Sequence, residues 1–281
     1  MKLTIVLVLY KKTPEESKTF LTLKQTLFSN KNGFNQFELI LYDNSPEKQE
    51  FNPLKYEGVH MSYVHDPRNL GIVPAYNHAW KIANENGSKW ILLLDHDTEL
   101  TQEYMNEVMD LADFSEEIVA VVPKIMNENT MISPVYSNSL RPLLGDRPES
   151  GIQENPVMAI NSGAIIRIDF LNEIGGFNEE FPLDYLDHWL FYEIYAKGKK
   201  VWVLDSVLEH ELSVMDYSRV SLKRYQSILE SELNFYSNYK TELFSSFRKQ
   251  LLKRFLKQVL TVKNKQIALH TLRQFFKMSK F

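Results

Sequence analysis

The 281-residue sequence contains no cysteine, which excludes disulfides and thiolate metal sites and fits a reducing compartment. Long hydrophobic runs are also missing: the longest, Ile5 to Tyr10 and Trp90 to Leu94, are strand-length and far short of the ~18 apolar residues a membrane span needs. Lys11 and Lys12 follow the first run without a small-residue cleavage site, so the amino terminus is not read as a signal peptide. No glycine-rich turn follows the first apolar run, where Leu7-Val8-Leu9-Tyr10-Lys11 stands instead, which argues against a nucleotidyltransferase. Acidic residues are absent from Leu243 to Phe281, whereas ten Lys or Arg occur there, so a tail of +10 follows a body of −14. Such asymmetry points the tail towards an anionic surface.

What is present is an alternation of strand-like and helix-like segments. Leu3 to Tyr10 is apolar and β-branched; Thr13-Pro14-Glu15-Glu16 then offers an N-cap, a first-turn proline and the glutamate of a capping box, predicting a helix to about Phe28. Strands are expected at 37–42, 59–64, 90–94, 118–122, 159–168 and 200–204, with helices at 72–86, 101–112 and 187–196. Residues 124–156 show little periodicity and read as a long loop, and from about Tyr217 the pattern is helical throughout. This order implies a mostly parallel sheet covered on both faces, over residues 1–212, and a helical region over 213–281. In such sheets ligands sit beyond the carboxyl ends of the strands, which singles out Tyr10, Asp43 with Asn44, and Asp95 with Asp97.

The strongest local signal is Leu92-Leu93-Leu94-Asp95-His96-Asp97-Thr98, an apolar strand running into two carboxylates on one side. Such a pair suits a hard divalent cation, which in turn binds a diphosphate; solvated turn-forming acids are the plain alternative. A second cluster, Phe181 to Trp189, opens a helix with Asp184 and Asp187, and His210 follows the next strand.

Taken in order, Leu3 to Tyr10, Tyr42-Asp43-Asn44-Ser45, Arg68-Asn69-Leu70-Gly71, Asp95-His96-Asp97, Asp184 to Asp187 and His210 resemble the motifs of family-2 glycosyltransferases of the GT-A fold, over about residues 1–212. The run from Arg68 to Asn77 is similar to that of bacterial rhamnosyltransferases that build surface polysaccharides. Their usual Asp-Gln-Asp-Ser is Asp95-His96-Asp97-Thr98 here, their Tyr-Asn is Tyr10-Lys11, and a customary glycine is Ala79.

The resemblance implies an inverting transfer from a dTDP-sugar, foremost dTDP-rhamnose, or from a UDP-hexose, to a saccharide acceptor. Asp187 is then the catalytic base. Tyr10, Asp43, Arg68, Asn69, Gly71, Asn77 and Asp95 form the donor site, Asp43 receiving the imide N–H of the base. Ser162, Asp184 and Trp189 form the acceptor site, and Asp97, His210 and Asp95 hold Mn²⁺ or Mg²⁺. Each residue has a structural alternative: an Asx-turn for Asp43, a surface ion pair for Arg68, helix capping for Asp184 and Asp187, and core packing for Trp189.

In the tail, Phe244, Phe247, Leu251, Leu252, Phe255, Leu256 and Val259 recur at helical spacing among basic residues. That pattern suits a helix lying on an anionic membrane surface, or one packing on the catalytic domain or on a second subunit as in a homodimer. Nucleic acid fits least, because the body is acidic and carries no binding motif. A lipid-linked acceptor at the inner face of the cell membrane would give such a tail a purpose, so the chain is expected to be cytoplasmic and peripheral.

Overall fold

The computed structural model describes residues 2–27, 37–56, 58–111, 114–140, 142–209 and 220–278. The chain forms two compact units, Met1–Tyr136 with Leu143–Glu211, and Ser137–Pro142 with Leu212–Phe281.

The first unit is α/β. Its elements are β1 (Leu3–Leu9), α1 (Lys18–Thr26), β2 (Phe37–Asp43), β3 (Met61–His65), α2 (Val73–Glu85), β4 (Trp90–Asp95), α3 (Gln102–Met109), β5 (Ile118–Asn127), β6 (Thr130–Ser133), β7 (Val135–Tyr136), β8 (Gly151–Gln153), β9 (Val157–Met158), β10 (Ile165–Arg167), α4 (Ile168–Ile174), α5 (Leu186–Ala196) and β11 (Lys200–Glu209). The main sheet runs β3-β2-β1-β4-β10-β5-β11-β8, with β6 beside β5. β1, β2, β3 and β4 pair in parallel, as do β5 and β11, while β10 and β8 run against their neighbours. Every residue of β1 is buried, as a strand covered on both faces requires.

The chain leaves β1 to one side for β2 and returns to its other side as β4. Leu9 lies opposite Asp43 and Val8 opposite Asp95. The point where strand order reverses is where such sheets open a crevice at their carboxyl ends, and both acids stand there.

Three expectations change. The Thr13 capping box forms, Glu16 accepting from the Thr13 N–H (2.9 Å) and hydroxyl (3.1 Å), but it closes only a 3₁₀ turn over Pro14–Glu16. α1 begins afterwards at Lys18, with Ser17 as its N-cap accepting from the Phe20 N–H at 3.2 Å. The expected loop 124–156 contains the end of β5 and the short strands β6, β7 and β8, whose few residues are too short to show a period. The expected strand 159–168 is only Ile165–Arg167: a turn at Asn161–Gly163 precedes it, and α4 starts at Ile168.

The second unit contains α6 (Leu222–Asn238), α7 (Phe244–Thr261) and α8 (Lys265–Lys277). Tyr225, Leu229, Phe247, Leu251 and Ile267 are buried in its core. A closed polar network lies among them: Gln258 donates to the Tyr225 hydroxyl (2.9 Å), Thr271 donates to Gln258 (2.7 Å), and the two hydroxyls lie 2.6 Å apart. Arg254 grips Glu232 with two bonds of 2.6 and 2.7 Å, so one tail cation serves the helical core. Among the described residues no helix is long and apolar enough to cross a membrane.

Candidate active site

The acidic loop after β4 is fixed by its backbone. The Thr19 hydroxyl donates to the carbonyls of Asp95 (2.5 Å) and Thr98 (2.9 Å) and accepts from the Thr98 N–H (2.9 Å). Ser17 donates to the His96 carbonyl at 2.9 Å. From the other side, the Ser162 hydroxyl accepts from the Asp95 N–H (3.0 Å) and lies 2.6 Å from the Thr98 hydroxyl. Buried hydroxyls thus satisfy the turn's backbone, and the side chains of Asp95 and Asp97 on it are half-buried. Just beyond, the Glu99 N–H donates to the Glu209 carbonyl at 3.4 Å, so the described end of β11 lies beside the acidic loop. His210 itself lies outside the described residues.

Electrostatics join the two acidic motifs. The Asp95 carboxyl is pushed up to about 7, first by burial and then by the charges of Asp97 and Asp187. Asp187 stands in the first turn of α5, its Oδ1 accepting from the N–H of His188 at 2.8 Å; the N-cap position belongs to Tyr185, in left-handed backbone with φ 66°. Mutually repelling carboxylates on oxygen-rich ground fit a hard divalent cation. Among the described residues no group of three or more His, Asp or Glu side chains is gathered closely enough to hold an ion. Asp95 and Asp97 by themselves do not make up such a group.

The loop from Asp66 to Ile72 meets the acidic segment directly. Gly71 has φ 92°, and a methyl there would sit 2.1 Å from the Pro182 carbonyl oxygen. That carbonyl accepts from the N–H groups of Ile72 (2.8 Å) and Val73 (3.2 Å), docking the start of α2 on the segment that carries Asp184. Asn69 also has positive φ, 49°, and Asn44 donates to the Gly71 carbonyl at 2.8 Å.

Several residues occupy roles different from those expected. Asp43 is fully buried, with Oδ1 accepting from the Ser45 N–H at 2.9 Å in an Asx-turn and Oδ2 accepting from the Tyr63 hydroxyl at 2.5 Å. Arg68 is bound to Asp66 through two bonds of 2.7 Å, the ion-pair alternative, although its side chain stays 67% exposed. This guanidinium, with the Tyr42 hydroxyl, holds the Asp66 carboxyl well below the usual range. Asn77 exchanges bonds with the backbone of Phe177 (2.9 and 2.8 Å), clamping α2 to the turn after α4 rather than facing a donor. Trp189 is 5% exposed and belongs to the core, which removes it as a sugar platform; the half-exposed rings at this helix start are Tyr185 and His188, stacked with centroids 4.3 Å apart. Ser162 is 1% exposed and supports Asp95 instead of facing an acceptor. Tyr10 is exposed at the end of β1, with the Lys11 ammonium 5.1 Å from its ring centroid.

Sequence reasoning missed Ser17, Thr19, Tyr63 and Asp66. Only Asp66 had a local signal, the Asp-x-Arg spacing to Arg68.

A mostly parallel sheet with its acidic loop at the reversal of strand order defines a GT-A glycosyltransferase fold. Residues 5–175 match the family described as Glycosyl transferase family 2, and the chain belongs to that family. Among solved structures it is similar to residues 1–349 of S. aureus TarS, at 17% identity and TM-score 0.55, covering 98% of this chain and 80% of that one. It is similar to the mannosyltransferase PcManGT from Pyrobaculum calidifontis, solved with GDP-Man and Mn²⁺, at 14% identity and TM-score 0.54, covering 100% and 81%. GalNAc-T7, solved with UDP, GalNAc and Mn²⁺, gives 12% identity and TM-score 0.58, with 98% of this chain covering 56% of that one. No curated protein sequence matches the chain.

Proposed function

We propose that this glycosyltransferase inverts the anomeric carbon of a nucleotide sugar, transferring L-rhamnose from dTDP-rhamnose to a lipid-linked saccharide in surface-polysaccharide synthesis. The observation that carries the catalytic part is Asp95 at the reversal point of the sheet, within the field of Asp97 and Asp187. Asp187 takes the proton of the acceptor hydroxyl as the new glycosidic bond forms and the bond to the nucleoside diphosphate breaks. Asp97 and Asp95, with His210, would hold the cation, which when bound would offset negative charge on the departing diphosphate. Tyr10 flanks the base, and Asn69 and Gly71 let the backbone approach the donor. Asp43, expected to receive the base imide, is instead fully buried and bonded to Ser45 and Tyr63, so it shapes the ground beneath the base without touching it.

That the solved relatives bind UDP, UDP-GlcNAc or GDP-Man supports a nucleoside diphosphate donor. The dTDP-rhamnose assignment rests on the run from Arg68 to Asn77. A panel of dTDP-rhamnose, UDP-glucose, UDP-galactose, UDP-GlcNAc and GDP-mannose with Mn²⁺, scored for donor hydrolysis or transfer, tests both levels. Turnover of dTDP-rhamnose above the others is expected. Preference for a UDP-hexose replaces the donor and keeps the enzyme class, whereas turnover of none of them defeats the reading.

On α7 the side chains of Leu252, Leu256, Val259 and Leu260 are exposed on one stripe, Leu260 at 84%, flanked by Lys249, Lys253 and Lys257. This outward apolar stripe with a basic border supports the membrane reading of the tail and a peripheral site on the cytoplasmic leaflet. Sedimentation with vesicles rich in phosphatidylglycerol is expected for the wild type and not for Leu256→Glu/Leu260→Glu. Equal sedimentation of the two contradicts it.

A further inference from the structure

Tyr76 lies on α2, the helix docked on the Pro182 carbonyl and packed against β1 and β4. Its side chain is fully buried, the ring 5.2 Å from that of Phe177, yet among the described residues its hydroxyl has no hydrogen-bond partner. Buried phenols ordinarily find a partner, and an unpaired one costs stability, so an unspent hydroxyl inside a close-packed helix–sheet interface marks a group held ready. Phenylalanine would fill the same space without that cost.

Burial first, and then the charges of Asp95 and Asp187, push the phenol well above its ordinary range, so it stays protonated. A neutral phenol in the field of carboxylates can act only as a donor to them. Asp95 is the partner that the topology offers, because β4, one of the two strands against which α2 packs, ends in it. Its backbone is already fixed by Thr19 and Ser162, and among the described residues its carboxylate has no hydrogen bond of its own, so side-chain rotation is its remaining freedom.

We propose that Tyr76 is a positioning residue: when nucleotide and cation enter the site, its hydroxyl donates to the Asp95 carboxylate and fixes it towards the donor. The proposal rests on the reading of the acidic site given above. Atoms of the reacting sugar are not touched by it. Because the hydroxyl is buried, it reaches a neighbouring side chain and not solvent or substrate.

The test is Tyr76→Phe, which removes one oxygen and keeps the ring. In cation-free protein its thermal midpoint is expected to equal or exceed that of the wild type. Calorimetric titration with UDP, dTDP and GDP, each with Mn²⁺, is expected to show about tenfold weaker binding of the nucleotide that the wild type prefers. In an Asp187→Asn background the same loss should persist. A midpoint several degrees lower in cation-free protein means that the hydroxyl has a structural partner, and overturns the proposal. Nucleotide binding within twofold of wild type reduces Tyr76 to a core residue. Disappearance of the effect in Asp187→Asn reassigns the hydroxyl to Asp187. If the wild type binds none of the three nucleotides, the reading of the site itself fails and this proposal with it.

Discussion

Asp187→Asn is expected to lower turnover by about 10² to 10⁴-fold, the contribution of a positioned general base, while nucleotide binding stays within about twofold of wild type. The amide is isosteric and its oxygen can still accept from the His188 N–H, so α5 loses no cap and stability should change by less than about 1 kcal/mol. Electrostatically the change helps the ground state, because Asp187 is one of the charges that raise Asp95. Removing it moves the Asp95 carboxyl back towards its ordinary value, so a loss of activity cannot be traced to a weaker donor site. Single-turnover rates and nucleotide titration on the same sample separate the two effects. Turnover within tenfold of wild type would take the proton-transfer role from Asp187, and Asp184, half-buried three residues earlier, would be the next group to examine.

Gly71→Ala is expected to cost about 2 to 5 kcal/mol, combining left-handed strain with overpacking. The strain comes from φ 92°, and the overlap from a methyl 2.1 Å from the Pro182 carbonyl oxygen, a backbone atom that cannot swing aside. Gly87→Ala is the matched control: its φ is 67° and nothing lies within 4 Å of the added methyl, so it should lose only about 1 kcal/mol. Denaturant midpoints of the two variants measure the difference. Activity should follow the larger loss, since relieving the overlap pulls the Ile72 and Val73 N–H groups off Pro182 and with them the segment carrying Asp184. Equal midpoints for the two variants would mean that the contact between the loop and Pro182 does not hold the site.

Much of the sheet was legible because buried parallel strands write themselves as apolar runs: β1, β2 and β4 fall within a residue or two of expectation, as does α2. Short edge strands carry no such signature. β7 has two residues and β8 only three, so a stretch read as loop turned out to be paired. β11 was underestimated for a related reason: its outer half, Asp205 to Glu209, alternates exposed and buried residues across a register shift beside β5.

In the site, acids at strand ends were visible because strand geometry alone places them. The residues that hold those acids were not. Thr19 acts on backbone carbonyls about eighty positions away, and nothing in its neighbourhood distinguishes it from a surface threonine. Asn77 and Trp189 erred in the opposite direction, having the chemistry for ligand contact but being committed by packing to Phe177 and to the core. Side-chain type is a local property, whereas availability is set by what folds against it.

The central claim is that Asp95 and Asp97 form the cation end of a site whose other end is Asp187. The most direct measurement is an anomalous difference map from crystals grown with Mn²⁺ and the nucleotide that the wild type binds most tightly. The account predicts one strong peak within coordination distance of the Asp97 carboxylate and on the diphosphate side of Asp95. Bound nucleotide with no peak there, or a peak held by other residues, would contradict it.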